Sequence, residues 1–315
     1  MTAQAEPTQG PDADAERSRR IAEFQRRDKW RRRLPLLPAL LFVIVVTQIP
    51  FLFNIWFSLQ DWTIVPPYGP EFVGIENYTE GYSNQFFHEA ILISVVMTVS
   101  AVLLSLLFGT ILAILLDREF FGRGMARTLL ITPFLVMPVV AGLLWKNQIF
   151  SASFGVLNAL IEAVGLEAIP FVEVTPMWAI VAVLVWQWAP FMMLIVLAGL
   201  QGQPTDILEA ARVDRASKTS IFTQITLPML RPYMELGIVL GAIYLLQVFD
   251  HIQVMTGGGP GSTNVPYFVY QRSIGGGWNF GQAAAYSIIV VIASIIIATF
   301  ALRVLSSLFR QQEPA

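Results

Sequence analysis

The residues whose types and spacing could do chemistry lie in two short apolar stretches. One carries Trp186, Gln187, Trp188 and Phe191, and the other Tyr244, Gln247, Asp250 and His251. Tyr244, Gln247 and His251 sit at i, i+3 and i+7, which puts them on one face of a helix. Aromatic planes beside amide and carboxylate groups suit a polyhydroxylated ligand, whose C–H faces are apolar and whose hydroxyls need partners. Polar side chains within apolar spans are costly, so they are functional candidates by default. A structural reading stands beside that one, with Trp186 and Trp188 as interfacial belt aromatics and Gln247 or Asp250 as bridges between helices. Catalysis has less behind it. There is no cysteine, which excludes disulfides, thiolate metal sites and thiol nucleophiles, and the two histidines, His88 and His251, are too far apart in sequence to suggest a metal cluster. No nucleophile–base constellation supports an enzyme. A G-x-x-x-x-G-K-[ST] phosphate loop is also missing from the sequence, so ATP hydrolysis by the usual route is excluded.

The elements that must position these residues are membrane helices. Of the 315 residues 55% are hydrophobic and 13% charged, against about 25% charged in a soluble domain. The apolar residues fall in repeated runs of about 20, the length a helix needs to cross some 30 Å of hydrocarbon. We read an all-α polytopic protein with six spans at about 34–59, 90–116, 128–150, 177–200, 234–255 and 283–309. Pro133, Pro138 and Lys146 fall in the third, where proline is tolerated if neighbours satisfy the freed carbonyl. All but two of the 20 lysines and arginines lie in the first 33 residues, in the connections after spans two and four, or at the end of the last span. Lys146 and Arg272 remain for the opposite face. The distribution predicts that both termini are cytoplasmic.

Residues 1–33 read as a polar, basic, largely disordered cytoplasmic segment whose Arg17–Arg33 run sets topology on the anionic inner leaflet. They hold no cleavable signal, so the first span is expected to be a retained signal anchor. Residues 34–309 form the transmembrane domain and 310–315 a short cytoplasmic tail. Asn77-Tyr78-Thr79 matches a glycosylation acceptor, a motif common by chance.

The longest cytoplasmic connection is 201–232. Pro204 ends the preceding span, and Asp206 with Glu209 has the spacing of a capping box. Ile207, Leu208 and Ala211 then make an apolar face of a short helix. A second short helix at about 220–226 presents Ile221, Phe222 and Ile225, and Pro228 is expected to stop it. Two amphipathic helices of this kind could simply lie on lipid headgroups.

Their residues also carry a resemblance. Glu209-Ala210-Ala211-x-x-Asp214-x-Ala216, followed by Phe222-x-x-Ile225-x-Leu227-Pro228, resembles the EAA loop of bacterial ABC importer permeases. Thr256-Gly257-Gly258-Gly259-Pro260-Gly261 is similar to the outer loop of the carbohydrate-uptake, maltose-type branch, and Trp186 through Pro204 resembles that branch's span before the loop. The resemblance implies a type I importer permease fold in the bacterial inner membrane, importing a sugar or sugar alcohol. It implies that the loop docks on a separate ATPase, where ATP and Mg are bound. The implied partners are two such ATPase chains, an extracytoplasmic solute-binding protein and a second, usually different permease chain; lipid surrounds the complex and nucleic acid has no part. It also implies that Trp186–Phe191 and Tyr244–His251 line the sugar path. One position departs from the pattern, since Arg215 stands where glycine is usual. Arginine there implies either strain or a turn outside the left-handed region, and it is either a cation for an acidic ATPase residue or a solvated replacement. The rival functions are an ATP-independent secondary transporter or channel, or a non-catalytic membrane scaffold. No inverted repeat supports the first.

Overall fold

The computed structural model describes residues 34–64 and 69–310. The basic segment 1–33 and residues 311–315 of the predicted tail lie outside the described residues. The chain falls into two units, the first ending at Trp56 and the second running from Phe57. Helix α1 (Leu37–Ser58) carries the first predicted span and has a mean hydropathy of 2.1.

The second unit begins with a short antiparallel pair, β1 (Gln60–Asp61) and β2 (Glu71–Phe72), and helix α2 (Glu76–Ser83). Then come α3 (Gln85–Asp117), α4 (Arg123–Leu135), and α5 (Pro138–Leu144) with a π turn at Trp145–Ile149. Short helices α6 (Val156–Ala163) and α7 (Phe171–Val174) lead into α8 (Pro176–Gln201). The loop contributes α9 (Thr205–Val213), α10 (Lys218–Ile221) and a π turn at Phe222–Thr226. The chain ends with α11 (Leu227–Leu245), α12 (Asp250–Met255), α13 (Val265–Arg272) and α14 (Phe280–Arg310).

Among the described residues α1, α3 and α8 are each long and apolar enough to cross a membrane. The α4–α5 pair makes a fourth candidate if its two arms count as one span. Asn84 starts α3 by accepting hydrogen bonds from the backbone N–H groups of Phe86 and Phe87. At 1.5 Å per residue its 33 residues reach about 50 Å, so it projects beyond about 30 Å of hydrocarbon. Asn77 is buried and its Nδ2 donates to the carbonyls of Ser58 and Gln60 at 3.0 and 2.9 Å, so its acceptor motif is structural.

Helices α3 and α8 pack side by side, with Leu106, Ala113 and Leu116 against Met192, Met193, Val196 and Leu197. A Cβ on Gly109 would stand 2.6 Å from Met192 Cβ and 2.8 Å from the Ala189 carbonyl oxygen. Met192 also reaches α11, where a Cβ on Gly241 would lie 2.6 Å from Met192 Cε. Gly237 and Gly241 are four apart, a small-residue groove of the kind that lets membrane helices approach closely. Gly109→Val should therefore lower stability by about 1–3 kcal/mol, because the backbone of Ala189 cannot yield as a side chain could. A thermal unfolding midpoint in detergent reads this directly.

Three predicted features differ. The third span was expected to run through 128–150, but its arms meet at a 97° bend. The cause is Pro138 at the first position of α5, which holds Met137 extended at φ −58°, ψ 137°. The fifth span was expected to be continuous over 234–255, but it is broken between Leu245 and Asp250. Pro228 was expected to stop the second loop helix, yet the helical path from Lys218 passes through it into α11. The π turn just before it widens the backbone where proline supplies no N–H.

Candidate functional site

The two helix breaks face each other across α8. At the first, the Val136 carbonyl has lost its helical partner and accepts a hydrogen bond from Gln187 Nε2 at 2.6 Å. Gln187 Oε1 lies 2.9 Å from His251 Nε2, at the start of α12. One amide thus ties both helix breaks to the unbroken α8. At the second break the Val248 carbonyl is taken by Asn264 Nδ2, whose Oδ1 also accepts from the Tyr267 N–H and starts α13. Lys146, predicted for the exterior face, donates from Nζ to the Val254 carbonyl at 3.2 Å, in the last turn of α12, where a cation suits the helix dipole. Non-helical backbone at membrane depth survives only where such partners are built in.

Beside these breaks is a cleft of about 250 Å³ lined by Phe134, Val136, Pro138, Gln187, Trp188 and the segment from Gln247 to His251, with Tyr244. Six of the eight residues singled out in the sequence are therefore brought together. Trp188 and Tyr244 stand 5.6 Å apart, and Tyr244 is 60% exposed. Gln247 is exposed, and its Nε2 returns to the Ile243 carbonyl at 3.0 Å. Asp250 is exposed at the first position of α12. Gln187 and His251 are each 4% exposed and occupied with one another, so they brace the wall.

Phe191 stands behind the lining, stacked on Phe134 at 5.2 Å. Trp186 is absent from it, because it turns to the other side of α8 and meets Trp145 at 5.6 Å. Sequence reasoning missed Asn264, Phe134 and Phe249. Asn264 before Val265-Pro266 is a helix-start signal that could have drawn notice, whereas nothing in Leu246-Gln247-Val248-Phe249 marks a break.

The loop forms the two expected helical arms with different details. Helix α9 starts at Thr205 with no side-chain cap, so the Asp206–Glu209 capping box is not formed. Its apolar residues split between two faces. Leu208 and Ala211 are half-buried, while Ile207, Ala210 and Val213 are exposed, Val213 to 81%. Glu209 and Asp214 are exposed, Ala216, Phe222 and Ile225 are half-buried, and Leu227 and Pro228 are exposed at the foot of α11.

Between the arms Arg215 adopts φ 57°, so it does enter the left-handed region. The Arg215 N–H donates to the Arg212 carbonyl and the Ala216 N–H to that of Ala211, which is the glycine-type helix stop built with arginine. A non-glycine residue there costs about 1–2 kcal/mol. Arg215→Gly should release about 1 kcal/mol of it, slowing hydrogen exchange of the Ala216 amide about fivefold.

The comparisons with known proteins bear on the same elements. Residues 105–310, which include the cleft and the loop, match the family described as "Binding-protein-dependent transport system inner membrane component". The chain belongs to this family.

Relatives agree across most of the chain. It is 34% identical over 265 residues to a "Probable ABC transporter permease protein y4oQ" of Sinorhizobium fredii, covering 83% of this chain and 85% of that one. It is 32% identical over 269 residues to a "Trehalose/maltose transport system permease protein MalF" of Thermococcus litoralis, covering 84% and 90%. Among solved structures, a chain of a bacterial alginate ABC transporter in complex with alginate pentasaccharide-bound periplasmic protein superposes with a TM-score of 0.73 at 21% identity, over 90% of this chain and 96% of that one. That likeness carries the fold. The protein is thus an ABC importer permease, a transporter component with the type I importer fold, belonging to the inner membrane and working with a separate ATPase and a solute-binding protein. Membership in this family leaves the ATP-independent reading without support.

Proposed function

We propose that this permease passes a sugar or sugar alcohol through the cleft beside its helix breaks, driven by ATP hydrolysed with Mg on two partner ATPase chains. The observation that carries the ligand class is the pair of half-buried Trp188 and exposed Tyr244 beside Gln247 and Asp250. Aromatic faces suit the C–H surfaces of a sugar ring, and the amide and carboxylate suit its hydroxyls. Relatives named for trehalose, maltose and sn-glycerol 3-phosphate support a polyhydroxylated cargo. In this reading six spans, two of them broken, place both termini in the cytoplasm, with 1–33 as the basic lead segment, 34–309 as the permease domain and 201–232 as the ATPase-facing loop. A second, different permease chain faces the open side of the cleft.

Tyr244→Ala and Gln247→Ala test the site in proteoliposomes holding the whole complex and its binding protein. Each should cut ATP-dependent uptake of trehalose, used as the probe disaccharide, about tenfold, the scale of one lost stacking or hydrogen-bonding contact. If both take up trehalose as wild type does while assembling normally, the cleft is not the path.

A further inference from the structure

At the cytoplasmic end of α4, Arg123 and Arg127 lie four residues apart on one helix face and both reach across to α8. With the Gln201 amide turned so that its oxygen faces them, Gln201 Oε1 accepts from Arg123 Nη2 at 2.9 Å and from Arg127 Nη2 at 3.1 Å. Like charges at this spacing repel, and both Nε atoms are buried without a hydrogen-bond partner. The cost is offset by place. Gln201 is the last residue of α8, so the guanidiniums stand at the negative end of that helix. Gln201 is also the root of the loop: Gly202, Gln203 and Pro204 follow, and Gln203 Nε2 donates to the Thr226 carbonyl at 3.2 Å, tying that root to the second arm.

The other end of α4 lies at the first helix break. Ala126, Leu130 and Ile131 pack along the α3–α8 core, and Leu135 is followed by Val136, whose carbonyl is held by Gln187 and through it by His251 of the cleft wall. Helix α4 is therefore clasped at its base to the loop root and at its tip to the cleft, with hydrogen bonds at both ends.

We propose that Arg123, Arg127 and Gln201 are positioning residues for coupling. They clamp α4 to the root of the loop so that it moves with the loop as one lever and carries that movement to the break at Val136. This rests on the ATP-driven reading and adds a route within it. Loop movement reaches the cleft through the broken third span as well as along α8.

The chain has no cysteine, so nitroxide labels can be placed at Met125→Cys on α4 and Thr219→Cys on α10 in the intact complex, both positions being exposed. The distance between them is read by pulsed electron paramagnetic resonance, without nucleotide and after trapping with ATP, Mg and vanadate, while a second label pair across the ATPase dimer reports closure. With the clamp intact the Met125–Thr219 distance should change by less than about 2 Å on closure, whereas in Gln201→Leu it should shift or broaden by about 5 Å, the difference between a helix adjustment and a one-turn slip. Gln201→Glu, which keeps the acceptor, should restore the constant distance. Wild-type constancy in Gln201→Leu would overturn the clamp. Where Gln201→Leu fails to assemble, the double substitution Arg123→Gln, Arg127→Gln reads the same contact from its other side, with the same two outcomes. A wild-type complex in which nucleotide does not close the ATPase pair at all would instead remove the ATP-driven reading, and the lever with it.

Discussion

Val213→Asp is expected to strip the ATPase subunit from the purified complex. Val213 is 81% exposed on α9 and continues a line with Ile207 and Ala210. Leu208 and Ala211 are half-buried, so the more exposed line is the one offered to a partner. The loss of the valine contact is the smaller part; an unpaired carboxylate in a desolvated contact costs about 2 kcal/mol or more. Association should weaken at least about thirtyfold, enough to lose the ATPase during affinity purification while the permease still folds. Retention of the ATPase at wild-type stoichiometry would mean that α9 rests on lipid headgroups and that docking lies elsewhere.

Gln187→Leu is the second large effect, and it acts on the permease itself. The substitution is close in volume but removes both hydrogen bonds of the amide. The half-buried Val136 carbonyl and the buried His251 Nε2 are then left without that partner. Each orphaned group costs about 1–3 kcal/mol, so the complex should lose several kcal/mol of stability and a large part of its yield. His251→Leu alone should cost less, since Gln187 keeps Val136. The double substitution should cost less than the sum, because removing both partners of a bond is cheaper than removing one. Strict additivity in detergent unfolding would show that the bridge contributes nothing.

Much of this was legible in the sequence, and the reason differs element by element. Helices α3 and α8 are plain in composition, because a long uncharged run admits few other structures. Loop 201–232 was legible as two short arms, since Pro204, the apolar spacing after it and the Glu209–Pro228 pattern survive in one dimension. The bend at Val136–Met137 was only half visible. Pro138 was in view, but a proline in a span is compatible with a kink or with a 97° turn, and the choice depends on whether a donor such as Gln187 is waiting on the neighbouring helix.

The break after Leu245 left no trace, because Leu246-Gln247-Val248-Phe249 would continue a helix perfectly well on propensity alone. It is held open from outside by Asn264, sixteen residues on. For the same reason the mutual hydrogen bond of Gln187 and His251 was hidden, since a buried polar group looks alike in sequence whether its partner is a solute, a side chain or a carbonyl. Met192 among Gly109, Gly237 and Gly241 was equally hidden, being spread over three helices. Arg215 shows the reverse case. The sequence left two conformations open, and φ 57° decides for the strained one.

The most direct test of the account is uptake into proteoliposomes that contain this permease with its partner chains and solute-binding protein, using radiolabelled trehalose as the probe and ATP supplied only on the face of the ATPase. Uptake is expected to require ATP and Mg on that face, to persist when ion gradients are collapsed, and to disappear with Val213→Asp. Uptake in ATP-free vesicles driven by an ion gradient, and unaffected by Val213→Asp, would contradict it.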